Sequence, residues 1–324
     1  MNKTWLSVCC LLVFVIMSIP SGIVRILGSV GLVILFLWIS QMTSIDHTEK
    51  EPQDMCEQHY RKDFQMARRM QEALLQVKTP EISGIKIVKK CIPAETIGGD
   101  FYGFSHQNFQ GLSQEHKIPG VIEYIDRRED YLGITVGDVA GHGVSSALVM
   151  ALASGLFNES SRTFKSPADV LKNTNEQLIS YLENSQVTYV TAFYSALNLD
   201  KMTLTYAKAG HPNAIILHSD KTTEILDTSG VFLGMYSNET FEEKTIQLHG
   251  GDRIFFYTDG ILEARNPRGE LFDSKRFLEL ILSLHDKPIE TVLDTVFKSV
   301  TNFTQVVTAQ DDQTLVILEI LEKE

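Results

Sequence analysis

Cysteine is scarce in this chain, and basic residues are outnumbered. Only four of the 324 residues are cysteine: Cys9, Cys10, Cys56 and Cys91. Two of them fall in an apolar segment and two are isolated, which excludes a disulfide framework and a zinc-type spacing. Lys and Arg number 29 against 41 Asp and Glu, a formal net charge of -12. No long basic block offsets that balance, so a phosphate polymer is repelled and no nucleic-acid partner is expected. There is no internal repeat and no low-complexity tract. What is present is an ordinary globular mixture, 44% apolar and 22% charged, in a length that fits one large domain plus an appendage.

The first forty residues differ from all that follow. TWLSVCCLLVFVIMSI (4–19) and IVRILGSVGLVILFLWI (23–39) are nearly uncharged and are separated by PSG (20–22). As one helix the stretch would rise about 50 Å, beyond a bilayer core of about 30 Å. Broken at Pro20–Gly22, it predicts a transmembrane hairpin over residues 1–40, with both ends on one side. Lys3 and the amino terminus favour the cytoplasmic side, and Trp5 and Trp38 stand where interfacial aromatics belong. Arg25 fits by snorkelling from a helix end. A cleaved signal peptide is the alternative. The hairpin reading puts the chain in the inner, cytoplasmic membrane with its body in the cytoplasm.

Residues 41–81 read as a juxtamembrane linker followed by an amphipathic helix. In HYRKDFQMARRMQEALLQV (59–77), Phe64, Ala67, Met70, Leu74 and Val77 recur at helical spacing. Two roles fit this helix: docking on the body, or a homodimer through residues 59–77 that carries a signal from the membrane.

The body, residues 82–324, alternates strand-like and helix-like segments. Strands are expected at 85–91, 121–125, 131–138, 189–199, 202–209, 214–218, 253–259 and 314–320. Several are joined by short turns such as NLDK (198–201), as in antiparallel hairpins. Helices are expected at 144–157, 167–182, 274–284 and 289–303. Hairpins with helices gathered in groups predict an α+β fold, helices covering a sheet sandwich.

GDVAGHG (137–143) poses a chemical question. Its glycines do not fit G-x-G-x-x-G, it has no Walker lysine, and Asp138 would repel a pyrophosphate. Asp138 instead ends an apolar strand, and that pattern recurs. GGDFYG carries Asp100, FFYTDGILE carries Asp259, and AQDDQTLVIL carries Asp311 and Asp312. One Asp beside Gly is ordinarily a turn residue. Four such segments bracketing hydrophobic strands, with no nearby Lys or Arg, would repel one another if the strand ends met. Divalent cations relieve that repulsion, and all-oxygen ligands suit Mg²⁺ or Mn²⁺. His142 and His211, in AGHG and AGHP, lack zinc-type partners and read as loop-ordering residues, with a proton-transfer role left open for His142.

With these segments in hand, the chain resembles the PPM-type metal-dependent serine/threonine protein phosphatases, specifically the SpoIIE/RsbU branch. The likeness runs from about Asp63 to Glu319. It is carried by ARRMQEALL (67–75), IPAETIGGDFYG (92–103), GDVAGHGVSSALVMA (137–151) and YVTAFYSALNLD (189–200). AGHP (209–212), GVFLG (230–234), YTDGILEARNPRGELF (257–272) and DDQT (311–314) complete it. The resemblance implies two antiparallel β-sheets sandwiched and flanked by helices, with two Mn²⁺ or Mg²⁺ ions at one end. Asp100 would bind one ion, Asp138 would bridge both and be the residue on which catalysis depends, and the Val139 carbonyl would add a ligand. Asp259 and Asp311 would hold the second ion, and Asp312 would orient water or backbone.

Two departures stand out. Gly103 replaces an acid common in the family pattern, which puts the strength of the metal site in question. Residues 105–130 are also longer than usual and read as an exposed insertion. The expected activity is hydrolysis of phosphoserine or phosphothreonine on a cytoplasmic regulatory protein of the anti-anti-sigma type. The rivals are a phosphoprotein-binding module without turnover and a hydrolase of small phosphoesters.

Overall fold

The computed structural model describes residues 50–75, 79–118, 121–183, 189–305 and 309–322, with side chains described outside 50–58 and 108–128. The hairpin expected over 1–40 lies outside these residues. Among the described residues, no helix is long and apolar enough to cross a membrane.

The chain divides at Phe64/Gln65. Helix α1, Lys50–Leu75, runs across this point. It starts earlier than the periodicity predicted, because Pro52 falls in the first turn, where a missing N–H costs nothing.

Residues 65–324 build two five-stranded antiparallel sheets. The first has the order β1 (Ile85–Ile92), β10 (Gln313–Ile320), β9 (Arg253–Tyr257), β6 (Ala214–Leu217), β7 (Thr223–Leu226). The second runs β2 (Phe101–Ile118), β3 (Val121–Val139), β4 (Val190–Asn198), β5 (Thr203–Ala209), β8 (Glu243–Gln247). Because side chains alternate across a strand, each sheet has two faces to cover. The inner faces meet through Ile134, Val136, Phe193, Phe256 and Val316. The outer face of the second sheet is covered by α2 (Val144–Thr163) and α3 (Pro167–Leu182) through Phe101, Phe157 and Leu178. The outer face of the first is covered by α5 (Asp273–Ser283) and α6 (Ile289–Thr304) through Phe255, Phe277 and Val296. The helix over 167–182 stands as predicted: Ser166 caps it by accepting the Asp169 N–H at 3.2 Å, and Pro167 occupies its first turn.

Two expectations are corrected, and one segment is given a form. Residues 105–118, read as an exposed insertion, continue β2 and pair with β3 from Ser105↔Gly133 to Glu115↔Glu123, with a register shift before Ile118↔Val121. The strands expected at 121–125 and 131–138 are therefore one strand. Beyond Tyr131↔Asn198, β4 no longer accompanies β3, so the hairpin continues as a two-stranded ribbon whose backbone pairing needs no apolar pattern. Asp259 does not end a strand; it opens a four-residue helix, α4, Asp259–Leu262. The edge strands β7 and β8 went unpredicted, because their side chains are mostly exposed and leave no apolar alternation to read.

Candidate metal centre

Four segments meet at one end of the sandwich. The loop before β2 delivers Asp100, the end of β3 delivers Asp138 and Val139, the start of α4 delivers Asp259, and the turn before β10 delivers Asp311 and Asp312. Glycines permit this convergence. A Cβ on Gly99 would lie 2.7 Å from the Val139 carbonyl oxygen and 3.3 Å from the Asp138 carboxylate. A Cβ on Gly260 would collide with the Asp312 carbonyl. Side chains at either place would push the aspartate segments apart.

Asp100 is almost wholly buried, and one of its oxygens is held by two hydroxyls. Thr258 Oγ1 and Thr314 Oγ1 each donate to Asp100 Oδ2 at 2.7 Å. The two threonines also lock β9 to β10: the Thr314 N–H donates to Thr258 Oγ1 at 3.0 Å, and the Thr258 N–H to the Thr314 carbonyl at 3.1 Å. Asp312 points the other way, into backbone. Its carboxylate accepts the N–H groups of Ala94 at 2.8 Å, Gly99 at 2.5 Å and Asp100 at 3.4 Å. Its role is to shape the Gly98–Asp100 loop, as the sequence suggested.

The remaining carboxylates act on one another. Burial, then Asp259, Asp311 and Asp312, push Asp138 up to about 7. Burial, then Asp138 and Asp312, hold Asp100 well above the usual carboxylate range. Burial followed by Asp311 and Glu263 raises Asp259, and burial is the first cause of the rise at Asp311. No lysine or arginine acts on any of the four. Such a basin favours positive charge, and with oxygen donors throughout it fits a hard divalent cation. Among the described residues no three His, Cys, Asp or Glu side chains already close on a single point as a metal cluster. That agrees with mutual repulsion between like charges and leaves coordination to backbone oxygen and water as well.

Gly103 is placed on the other face of β2 from this basin. Phe101, Gly103 and Ser105 line a cleft against Ala151 and Asn158 of α2, whereas Asp100 and Tyr102 face away from it. An acid at position 103 would therefore point toward α2. The expectation that its absence weakens the metal site is not supported by this geometry.

The two histidines differ. His142 is 84% exposed and its Nδ1 lies 3.1 Å from Glu95 at the rim. His211 is 3% exposed, with Nδ1 2.9 Å from Thr191 Oγ1; that hydroxyl lies 3.4 Å from the carbonyl oxygen of Asp138. It orders the strand that carries Asp138. Burial lowers it from 6.5 to about 3, so between those values the unfolded chain binds a proton that the folded chain refuses. The His211 contribution to stability is therefore present above pH 6.5 and is lost as pH falls toward 3, by about 1 kcal/mol per pH unit. Urea unfolding from pH 7 to 4 is expected to show a flatter decline for His211→Gln than for the unsubstituted chain; parallel declines would refute this.

Sequence reasoning missed Thr258, Thr314, Thr191 and Glu263. The threonines left a trace, as hydroxyls beside the aspartates in YTDG and DDQT; Glu263 left none.

The family described as Stage II sporulation protein E (SpoIIE) matches residues 128–321. The chain is 26% identical over 266 residues to Phosphoserine phosphatase RsbU of Bacillus subtilis (strain 168), which covers 81% of this chain and 71% of that protein. It is 25% identical over 199 residues to Phosphoserine phosphatase RsbP of the same organism, covering 61% of this chain and 48% of RsbP. Its fold is similar to the SiaA-PP2C domain of Pseudomonas aeruginosa, with a TM-score of 0.66, 20% identity, and coverage of 82% and 98% respectively. At that identity the likeness shows the fold alone.

Proposed function

The chain belongs to the SpoIIE family, and from that premise we propose that it is a metal-dependent phosphoprotein phosphatase acting on phosphoserine or phosphothreonine. The observation that carries the reading is the basin of Asp100, Asp138, Asp259 and Asp311, crowded enough to raise all four acids, with no lysine or arginine among the described groups that act on them.

Asp100 and the Val139 carbonyl are assigned to one ion, Asp259 and Asp311 to the other, and Asp138 to both. When bound, two ions of Mn²⁺ or Mg²⁺ supply the positive charge that acidifies a water and clamps a phosphoryl group. The chain does the rest. Thr258 and Thr314 hold one oxygen of Asp100 and so fix where its other oxygen points. Asp312 holds the loop that presents Asp100. Glycines keep the segments close.

The rim supports a macromolecular substrate. Asp311, Glu263, Glu95 and His142 are exposed around the basin, so a phosphorylated side chain on a protein surface has access. The similarity to RsbU and RsbP, both named phosphoserine phosphatases, supports a phosphoserine-bearing substrate, and the substrate proposed is a small regulatory protein of the anti-anti-sigma type. Residues 1–40 are assigned to a membrane hairpin, with the catalytic body in the cytoplasm. The exposure of Phe64, Met66, Met70 and Leu74 on α1 supports self-association of that helix.

The full chain is expected to process a phosphoserine-bearing anti-anti-sigma-type protein with a kcat/KM at least about tenfold above that for p-nitrophenyl phosphate, since remote contacts add transition-state binding. Equal values would point to a small-phosphoester hydrolase. Binding of the phosphoprotein without turnover would point to a recognition module.

A further inference from the structure

Helix α1 touches the metal basin through one side chain. From His59 to Leu74 every residue is exposed except Gln71, which is 7% exposed. The apolar stripe that looked fit for docking, Met70 and Leu74 among it, faces outward. What docks is the Gln71 amide, followed by half-buried Leu75, which packs against two hydrophobic clusters of the body.

Gln71 pairs with a single residue at two points. Its Nε2 donates to the Gly98 carbonyl at 2.6 Å, and its Oε1 accepts the Gly98 N–H at 3.1 Å. The two bonds run in opposite senses, so they fix the orientation of the amide and satisfy both backbone groups of a buried glycine. Gly98 is pressed from the other side as well, because a Cβ there would collide with the Asp312 carboxylate. Asp312 in turn holds the next two N–H groups, of Gly99 and Asp100. The loop that delivers Asp100 is thus gripped by Gln71 on one flank and Asp312 on the other. A cleft of about 200 Å³ beside this grip is lined by Gln71, Leu75, Cys91, Gly98 and Asp100.

We infer that Gln71 is a positioning residue that sets the place of Asp100 by holding Gly98, and through it the affinity of the aspartate basin for divalent metal. The inference rests on the metal-site reading above. Gln71 reaches neither substrate nor ion; it acts through two backbone bonds on the residue two positions before Asp100. Loss of those bonds leaves the Gly98–Asp100 backbone to Asp312 alone, with Thr258 and Thr314 still holding one oxygen of Asp100, and Asp100 then samples positions that do not coordinate. Residues 65–75 have no other buried polar contact with the body among the described residues.

The test is a Mn²⁺ titration of the full-length chain, read by the electron paramagnetic resonance of free Mn²⁺. It compares the unsubstituted chain with Gln71→Met, Gln71→Glu, Arg69→Gln and Asp138→Asn. Gln71→Met keeps the bulk and removes both bonds; Gln71→Glu keeps the acceptor and removes the donor. Both are expected to weaken Mn²⁺ binding at least about tenfold and to lower kcat more than raise KM. Their urea midpoints should move little in the metal-free state, while hydrogen exchange of the peptide around residues 92–100 speeds up. Arg69→Gln, at an exposed position of the same helix, should bind as the unsubstituted chain does.

A purely structural role would lower the urea midpoint and leave the affinity of the folded molecules unchanged. Mn²⁺ binding by both Gln71 variants equal to that of the unsubstituted chain overturns the inference. So does an unchanged exchange rate at residues 92–100, which is readable even where a variant is too unstable to titrate. If the unsubstituted chain and Asp138→Asn bind Mn²⁺ equally, the metal-site reading itself fails, and the inference falls with it.

Discussion

Asp138→Asn is expected to lower phosphate release by at least about a thousandfold while leaving the fold intact. Asn is nearly the same size and shape, so the packing of β3 against Thr191 is retained. What is lost is the one carboxylate on which Asp259, Asp311 and Asp312 all act, the group assigned to both ions. Removing one electrostatic contact in an enzyme costs about 3–4 kcal/mol of transition-state stabilisation. At about 1.4 kcal/mol per decade that is two to three orders of magnitude, and a residue serving two ions lies at the upper end. Steady-state kinetics with a phosphoserine protein at saturating Mn²⁺ measures it. A loss below about tenfold would remove Asp138 from the centre of the site.

The same substitution is expected to stabilise the metal-free protein. Asp138 is raised from 3.8 to about 7 by burial and by its acidic neighbours. A carboxylate whose folded pKa lies above its unfolded value favours the folded state fully below about 4, and that contribution is lost as pH rises through 7. Metal-free protein should therefore lose stability between pH 4 and pH 8. For Asp138 alone the loss is on the order of 4 kcal/mol, reduced in practice because the neighbouring carboxylates share it. Asp138→Asn lacks this loss, so in EDTA at pH 8 its unfolding midpoint should exceed that of the unsubstituted chain by roughly 5 °C. Saturating Mn²⁺ should reverse the order, since binding to the native state stabilises it. A midpoint for Asp138→Asn at or below the unsubstituted value in EDTA would show that the carboxylates are not crowded as described.

These opposite effects, activity lost and metal-free stability gained, follow from one arrangement that was largely legible in the sequence. Long apolar strands such as 314–320 and the recurrence of Asp beside Gly are strong local signals, because a buried strand and a tight approach each demand particular residues. The sheets and the grouping of helices followed from them. The ribbon at 105–130 did not. Its second strand showed only as the separate stretches 121–125 and 131–138, and SHQNFQGLSQEHKIPG carries no apolar alternation to mark the first. β7 and β8 were missed for the same reason, as edge strands with exposed side chains.

Within the site, the aspartates were legible and their supports were not. Thr258 and Thr314 are ordinary residues of strand ends until the fold sets β9 beside β10 and points both hydroxyls at Asp100. Gln71 is a polar residue in a helix whose pattern pointed to its apolar stripe. Only the tertiary structure shows that the stripe is exposed and the amide buried. Gly103 looked like a defect in the motif, but strand alternation turns that position toward α2.

The central claim is that the aspartate basin hydrolyses a phosphorylated protein side chain with the help of divalent metal. The most direct measurement is the time course of inorganic phosphate release from a phosphoserine-bearing protein by the full chain, in Mn²⁺, in Mg²⁺ and in excess EDTA. The account predicts continuous release in at least one of the two metals, none in EDTA, and recovery when Mn²⁺ is added back. Release that continues unchanged in EDTA would contradict it.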